Sequence, residues 1–254
     1  MGLLAVIVQW VKRNLLMNDE ARLGRIVQGW KVPVRPEVTI IEGCFARLEL
    51  LNADAHAAQI HKANSVDDAI WNYLSYGPFT SASGYHRWVR EITAGTDPVF
   101  YAIKNLETGS FEGVASYLRI SPEAGSIEVG HVNFSKPLQR TRAATEAMFL
   151  MMQWAYEAGY RRYEWKCNAL NTGSRRAAER LGFSFEGVFR QAGISKGRNR
   201  DTAWYASIDS EWPALKSAFQ TWLRDENFDA AGLQKESLSD LTRLVRVTDD
   251  PALL

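Results

Sequence analysis

The chain has 254 residues, of which 46% are hydrophobic and 23% are charged. These values are typical of one large globular domain with an extension, and they exclude a disordered or fibrous protein. The 30 Lys and Arg residues nearly balance the 29 Asp and Glu residues, so a net charge of +1 gives no overall attraction to nucleic acid or anionic lipid. Two cysteines, Cys44 and Cys167, are too few for a disulfide framework or a four-thiolate metal site. We therefore expect a reducing compartment and no metal.

The longest apolar run lies at the start of the sequence, at residues 2–11. It is about half as long as the roughly 20 residues that a membrane-spanning helix needs. Lys12 and Arg13 follow the run, whereas the basic residues of a secretory signal precede it. We predict a cytoplasmic protein with no membrane role, in which residues 1–30 form an N-terminal extension.

Pro33 and Pro36 interrupt regular structure and mark the entry into the main domain, which we place at residues 31–225. Residues 226–254 are expected to form a charged tail with a short helix. Alternating and helical patterns predict a mixed order of elements in the main domain. They are, in chain order, a strand at 39–51, helices at 53–63, 67–74 and 81–93, strands at 99–106, 114–120 and 127–134, a helix at 140–156, a strand at 162–167, a helix at 172–181, strands at 183–191 and 201–208 joined by a Gly- and Arg-rich loop, and a helix at 211–225.

One segment, residues 138–147, joins the end of a predicted strand to a helix that begins with small residues. A helix N-terminus presents unpaired N–H groups and a partial positive charge, and both suit a pyrophosphate. The segment alone is equally consistent with an ordinary helix start beside a sheet.

A second segment, residues 168–183, begins with a predicted helix cap at Asn171, continues through Ser174 and ends in Leu181-Gly182-Phe183. In this order and at this separation, the two segments resemble the pyrophosphate loop and the Asn-x-x-Ser and Leu-Gly-Phe motif of the GNAT acyl-CoA-dependent N-acyltransferases, specifically their RimJ/RimL-like branch. The resemblance covers about residues 31–210.

The resemblance implies a GNAT fold of the α+β (mixed α/β) class, with a mainly antiparallel sheet of about seven strands flanked by helices. Two central strands are expected to splay and to expose backbone N–H groups that bind the thioester carbonyl, near Val132 to Phe134. Acetyl-CoA is the implied acyl donor. The residues implied to contact it are Val132, Phe134, Gln139, Arg140, Thr141, Arg142, Ala143, Ala144, Thr145, Asn168, Asn171, Ser174 and Arg176.

Arg142 departs from the family pattern, because glycine is usual at its place in the loop. Its side chain must either point away from the phosphates or help to neutralise them. Backbone binding survives the change if the dihedral angles stay helical.

Attack of an amine on a thioester needs a proton acceptor for the amine and a proton donor for the departing thiolate. Ser174 matches the serine that RimL-like enzymes use as donor, and the alternative is a first-turn residue that satisfies backbone groups. Glu128 is the first candidate for the base and His131 the second. The alternatives are that Glu128 pairs with a nearby Arg and that His131 is a hydrogen-bonded core residue. Strand alternation places these two on opposite faces unless a bulge intervenes.

The acceptor site should lie between the early helices and the last hairpin. Aromatic residues Trp71, Tyr76 and Phe79 are candidates for its wall, although the pattern favours a core role for most of them. Glu128, Lys196 and Arg198 are further candidates for acceptor contacts. The expected reaction is acetyl transfer to a primary amine of a small molecule or a protein N-terminus.

Two alternatives stay open at this point: transfer of another acyl or aminoacyl group, with charged tRNA as the carrier, and a non-catalytic acyl-CoA-binding module. The Trp-rich helix at 211–225 fits either a homodimer contact or packing within the chain.

Overall fold

The structure is a computed structural model that describes residues 23–253. The chain divides into two compact units, residues 1–31 and 32–254. In the first unit, the described residues 23–31 carry no helix or strand. The apolar run at 2–11 and most of the expected extension at 1–30 lie outside the described residues.

Within the described residues, eight strands form one sheet in the order β1-β2-β3-β4-β5-β6-β8-β7. All neighbouring strands are antiparallel except β5 and β6, which are parallel. The predicted mainly antiparallel sheet is therefore confirmed. The strands are β1 Ile40–Glu42, β2 Ala46–Leu50, β3 Val99–Asn105, β4 Ser110–Ser121, β5 Ser126–Phe134, β6 Arg162–Asn168, β7 Ser184–Ser195 and β8 Arg198–Ile208.

Six α-helices flank the sheet in the described part of the chain. They are α1 Ala53–Asn64, α2 Ala82–Ile92, α3 Arg142–Glu157, α4 Thr172–Arg180, α5 Trp212–Leu223 and α6 Leu238–Arg243. Asn52, Ser81 and Asn171 cap α1, α2 and α4 by accepting backbone N–H bonds. These three helix starts were correctly predicted, because capping depends on residues that are close in the sequence.

The single strand predicted at 39–51 is wrong, since the chain turns between β1 and β2. The buried carboxylate of Glu146, on α3, accepts bonds from the amides of Cys44 (2.9 Å), Phe45 (2.5 Å) and Ala46 (2.7 Å). A Cβ on Gly43 would collide with this carboxylate. A contact from a distant helix thus breaks the strand and adds one strand to the expected number.

Two further predictions differ from the structure. Residues 67–74 form only the short 3-10 helix Asp68–Trp71. The Trp71 carbonyl at its end accepts bonds from the Leu74 amide at 3.2 Å and from Lys196 Nζ at 2.8 Å. The expected loop at 192–200 is paired strand, because β7 and β8 continue to a two-residue turn. Lys196 and Gly197 make that turn with φ angles of 50° and 73°, as tight hairpins require.

Two hydrophobic clusters pack against the sheet, and they define its two faces. The first cluster joins the sheet to α3, α4, α5 and α6, and includes Ile127, Val129 and Trp165. The second cluster joins it to α1, α2 and the 3-10 helix, and includes Trp71, Tyr85 and Phe100. Helix α5 buries Leu215, Phe219 and Trp222 in the first cluster, so its apolar face packs within the chain. None of the helices described between residues 23 and 253 is long and apolar enough to cross a membrane.

Candidate active site

The parallel strands β5 and β6 separate halfway along their length. They pair from Ser126 opposite Arg162 to Val129 opposite Trp165, and their pairing ends there although both strands continue. On its other side, β5 carries a bulge: Gly130 pairs with Ser116 and Asn133 pairs with Val114, so two residues of β5 lie opposite one of β4. His131 in the bulge has a φ of 50°. The bulge bends β5 away from β6 and leaves a wedge-shaped cleft between the strands.

The N-terminus of α3 lies beyond the end of β5. The Thr141 side chain caps the helix by accepting a bond from the Ala144 amide at 3.0 Å, and it donates to the Leu138 carbonyl at 2.8 Å. Arg140, just before the cap, is exposed and has a φ of 63°. Among residues 23–253, none accepts a bond from the amides of Arg140, Arg142 or Ala143. These amides, at the positive end of a helix dipole, suit a diphosphate.

The Arg142 side chain points away from these amides. Its guanidinium donates to the Leu223 carbonyl at 2.6 Å and pairs with Asp225 at 2.9 Å. It also stacks between two rings, 3.8 Å from the centroid of Phe45 and 4.2 Å from that of Phe228. Arg142 therefore links the start of α3 to the end of α5, and its side chain does not cover the loop amides.

The opposite side of the cleft is formed by the turn after β6 and by α4. Asn168 Oδ1 accepts a bond from the Leu170 amide, and Asn171 Oδ1 accepts one from the Ser174 amide at 3.0 Å. Trp165 Nε1 donates to Ser174 Oγ at 3.0 Å. The indole thus fills an acceptor position of the hydroxyl. Burial raises the pKa of the neighbouring Cys167 thiol, and a hydrogen bond with Ser174 opposes that rise.

Glu128 lies where the cleft begins, one residue before the last β5–β6 pair. Its side chain is 3% exposed. One carboxylate oxygen lies 3.1 Å from Arg119 and the other 2.9 Å from Lys166 Nζ. Lys166 also lies 2.7 Å from Glu164, which is opposite Glu128 on β6. Burial raises the pKa of Glu128 above its ordinary value, and the two cations oppose that rise.

His131 lies on the same face of the sheet as Glu128. Its ring packs 5.0 Å from Phe100 in the second cluster and 5.7 Å from Tyr76, whose hydroxyl is 3.2 Å from His131 Nδ1. Burial, reinforced by the charges of Arg119 and Arg200, lowers the pKa of His131 to about 4. The bulge thus brings together two residues that strict alternation would separate, and His131 is neutral near pH 7.

Comparison with known proteins places this arrangement in a family. Residues 47–184 match the family described as Acetyltransferase (GNAT) domain. A crystal structure of a GCN5-related N-acetyltransferase from Brucella melitensis is 44% identical, with a TM-score of 0.83 over 85% of this chain and 100% of that one. The chain belongs to the GNAT acetyltransferase family.

Two other solved structures extend this comparison. A probable GNAT acetyltransferase from Chromobacterium violaceum is 38% identical, with a TM-score of 0.72 over 76% of this GNAT enzyme and 97% of that chain. The microcin C7 self-immunity acetyltransferase MccE, in complex with acetyl-CoA and AMP, is 19% identical, with a TM-score of 0.58 over 65% of this chain and 93% of that one, and shows the shared fold. A search of curated proteins gives no match.

The aromatic candidates of this GNAT enzyme lie on the second face of the sheet. Trp71 is 3% exposed, so its indole packs inside the second cluster. Tyr76 and Phe79 are half-buried, and Tyr76 reaches the cleft through His131. Trp88, which the sequence did not single out, packs 4.4 Å from Tyr76.

The remaining predicted contact residues are spread along the edges of the cleft. Val132 and Phe134 are half-buried on β5 and pack against the first cluster, whereas Gln139 is exposed. Arg176 is exposed on α4. Arg198 is exposed beside the β7–β8 turn and makes no ion pair with the described residues. Ala143, Ala144 and Thr145 are buried in the first turn of α3.

The alternative of a nearby Arg partner for Glu128 is confirmed by Arg119, nine residues earlier on β4. Sequence reasoning missed the second cation, Lys166, which lies on β6 and is far from Glu128 in the sequence. A signal was present in the alternation of β6, which puts Glu164 and Lys166 on one face. Two carboxylates on neighbouring strands need a shared cation, so the β5–β6 register would have predicted Lys166.

Proposed function

We propose that this GNAT enzyme is a member of the RimJ/RimL-like branch that transfers acetyl from acetyl-CoA to a primary amine of a small molecule or a protein N-terminus. The observation that carries the proposal is the cleft between β5 and β6, which opens beside the unpaired amides of α3. The Asn171, Ser174 and Leu181–Phe183 pattern supports the branch. The acyl donor supplies a thioester that a neutral amine attacks directly, with no covalent enzyme intermediate.

The amides of Arg140, Arg142 and Ala143 would hold the diphosphate of the donor. Their fit rests on the geometry of the loop, because Arg142 directs its charge to Leu223 and Asp225 instead of covering the amides. Backbone N–H groups of the splayed part of β5, near Val132 to Phe134, would stabilise negative charge that develops on the thioester oxygen. These groups are available there because β5 no longer pairs with β6.

Glu128 would accept the proton that the attacking amine loses, through a water molecule. Its raised pKa makes it a better proton acceptor than an ordinary carboxylate, while Lys166 and Arg119 favour its ionised form. His131, with a pKa of about 4, is the weaker candidate for this role. Its neutral ring and the Tyr76 hydroxyl would instead line the path of the amine.

Ser174 would donate its hydroxyl proton to the sulfur as the carbon–sulfur bond breaks. The bond from Trp165 Nε1 fixes the position of the oxygen. The proton that Glu128 collects returns to solvent, from which Ser174 is reprotonated. The products are then an N-acetyl amine and the free thiol of coenzyme A.

We propose residues 31–225 as the catalytic domain, with residues 1–30 as an extension and 226–254 as the tail, and a cytoplasmic location. The free thiols of Cys44 and Cys167 support a reducing compartment.

The test combines titration calorimetry with acetyl-CoA and mass spectrometry of a panel of amines incubated with enzyme and acetyl-CoA. We expect binding and a product heavier by one acetyl group. Binding without any product would favour a non-catalytic acyl-CoA-binding module. Absence of acetyl-CoA binding, together with binding of charged tRNA at the basic Lys196–Arg198 turn, would favour the aminoacyl transferase.

The roles of Glu128 and Ser174 are tested in the same assay. Glu128→Gln should lower kcat by about 100-fold or more, the usual loss for a general base. In the wild type, kcat/KM should fall as pH decreases through the raised pKa of Glu128, because only the ionised carboxylate accepts a proton. Glu164→Gln, which removes the other carboxylate from Lys166, is the matched control and should keep most of the activity.

Unchanged turnover of Ser174→Ala would remove Ser174 as the proton donor.

A further inference from the structure

We infer that Asp250, in the C-terminal tail, is a positioning residue for the coenzyme site. It acts through Arg175, which holds the turn that carries Asn171 and precedes Ser174. The inference rests on the proposed use of acetyl-CoA and assigns a part in it to a segment outside the residues that match the family, 47–184.

Asp250 and Arg175 form a buried ion pair between the tail and α4. Asp250 is fully buried, and Arg175 is 8% exposed. Arg175 Nε donates to Asp250 Oδ2 at 2.5 Å, and its NH2 group donates to Asp250 Oδ1. The Tyr205 hydroxyl, on β8, also donates to Asp250 Oδ2. All the charge-bearing atoms of the carboxylate are thus engaged, and the guanidinium has one fixed direction.

The third nitrogen of the guanidinium reaches the coenzyme side of the fold. Arg175 NH1 donates to the Ala169 carbonyl at 2.8 Å. The next carbonyl, of Leu170, accepts a bond from the Tyr73 hydroxyl at 3.1 Å. The turn between β6 and α4 is therefore held from two sides, and its geometry sets where Asn171 caps α4 through the Ser174 amide.

The tail is attached firmly enough to serve as the fixed end of this connection. The backbone of the tail forms a hydrogen bond with β7, in which the Val247 amide donates to Ser184 Oγ at 3.0 Å. The Asp250 amide donates to Glu179 Oε1 at 2.5 Å, and Arg246 donates to the Glu179 carbonyl at 2.8 Å. Each of these bonds joins the tail to the helix or strand that follows the Asn171 turn.

Stability alone is a weak reason for this arrangement. A buried ion pair loses the hydration of both charges, so an apolar pair of similar volume often gives equal or greater stability. What an apolar pair cannot supply is a donor for the Ala169 carbonyl. That difference separates a positioning role from a structural one and defines the experiment.

The experiment compares the full-length wild type with three variants: Asp250→Asn, the double variant Arg175→Met/Asp250→Leu, and Asp249→Asn as the matched control. Asp249 is the neighbouring acid, exposed and paired with Arg246 at 2.7 Å. Calorimetry gives the Kd for acetyl-CoA, thermal unfolding gives Tm, and steady-state kinetics separate the KM of each substrate from kcat.

We expect Asp250→Asn to weaken acetyl-CoA binding by about 10-fold, while Asp249→Asn stays within about two-fold. The double variant should recover a Tm close to that of the wild type and still bind acetyl-CoA weakly. The KM for acetyl-CoA should rise in both, with a smaller change in the KM for the amine.

Wild-type affinity in the double variant, or in a folded Asp250→Asn, would overturn the positioning role. If Asp250→Asn does not fold, the double variant decides. A wild type that does not bind acetyl-CoA would instead refute the proposed function, so the two failures are distinguishable.

Discussion

His131 lies at the bulge of β5, where its φ of 50° is a backbone conformation that asparagine also adopts readily. The position therefore accepts His131→Asn without added backbone strain, and the variant isolates what the imidazole does. In the folded protein, burial against Tyr76 and Phe100 keeps the ring neutral. The low pKa makes His131 a weak base in catalysis. It also makes the stability of the fold sensitive to acid, because protonation of the ring is favoured in the unfolded chain.

Removing the imidazole should reduce the loss of unfolding free energy in acid. The folded-state pKa of about 4 lies below the ordinary value of 6.5, so the unfolded chain takes up a proton first as pH falls between them. The wild type should lose at most about 3 kcal/mol of unfolding free energy over this window through His131. Urea unfolding at pH 7 and pH 4.5 measures the loss. Equal losses in wild type and His131→Asn would contradict the assignment. His86→Asn, at a partly exposed histidine, is the control and should lose as much unfolding free energy as the wild type.

At the scale of helices and strands, the sequence predicted what depends on neighbouring residues. The caps at Asn52 and Asn171 and the β3–β4–β5 meander follow from local patterns, and they are found as predicted. The break between β1 and β2 was not predictable, because it depends on Glu146, about a hundred residues away. The length of the β7–β8 hairpin was missed because its basic residues were assigned to a loop, although Lys196-Gly197 suits a tight turn.

The junction of α3 with α5 gives a prediction about Arg142, the residue that departs from the family loop. Arg142→Ala removes the bond to the Leu223 carbonyl and the stacking between Phe45 and Phe228, so the unfolding free energy should fall by about 2 kcal/mol. The Kd for acetyl-CoA should change by less than about three-fold, since the loop amides remain in place. Arg140→Ala should behave in the opposite way, with weaker binding and nearly unchanged stability. Urea unfolding and calorimetry on both variants measure the contrast, and a large loss of affinity in Arg142→Ala alone would contradict it.

At the scale of the whole molecule, the sheet separates two tasks. The α3 and α4 termini, with their proposed coenzyme contacts, pack on the face of the first cluster, whereas Glu128, His131 and the aromatic residues lie on the face of the second. The two motif segments could be found from the sequence because each is continuous. Arg119 is close enough in the sequence to be expected as a nearby partner. Lys166 and Asp250 were not found, because each meets its site through the register of the sheet or the path of the tail.

If the two faces divide the work in this way, one tryptophan on each face should differ in its effect on the KM for the amine. Trp88 is half-buried on the second face, 4.4 Å from Tyr76, and Trp154 is half-buried on the first face, 5.2 Å from Tyr117. Each change to Leu removes aromatic packing and should cost about 1–3 kcal/mol of stability. Only Trp88→Leu should raise the KM for the amine, by about five-fold or more, because Tyr76 would lose the ring that holds it against His131. Calorimetry and steady-state kinetics check this, and the division of tasks would be refuted if Trp88→Leu weakened acetyl-CoA binding and left the KM for the amine unchanged.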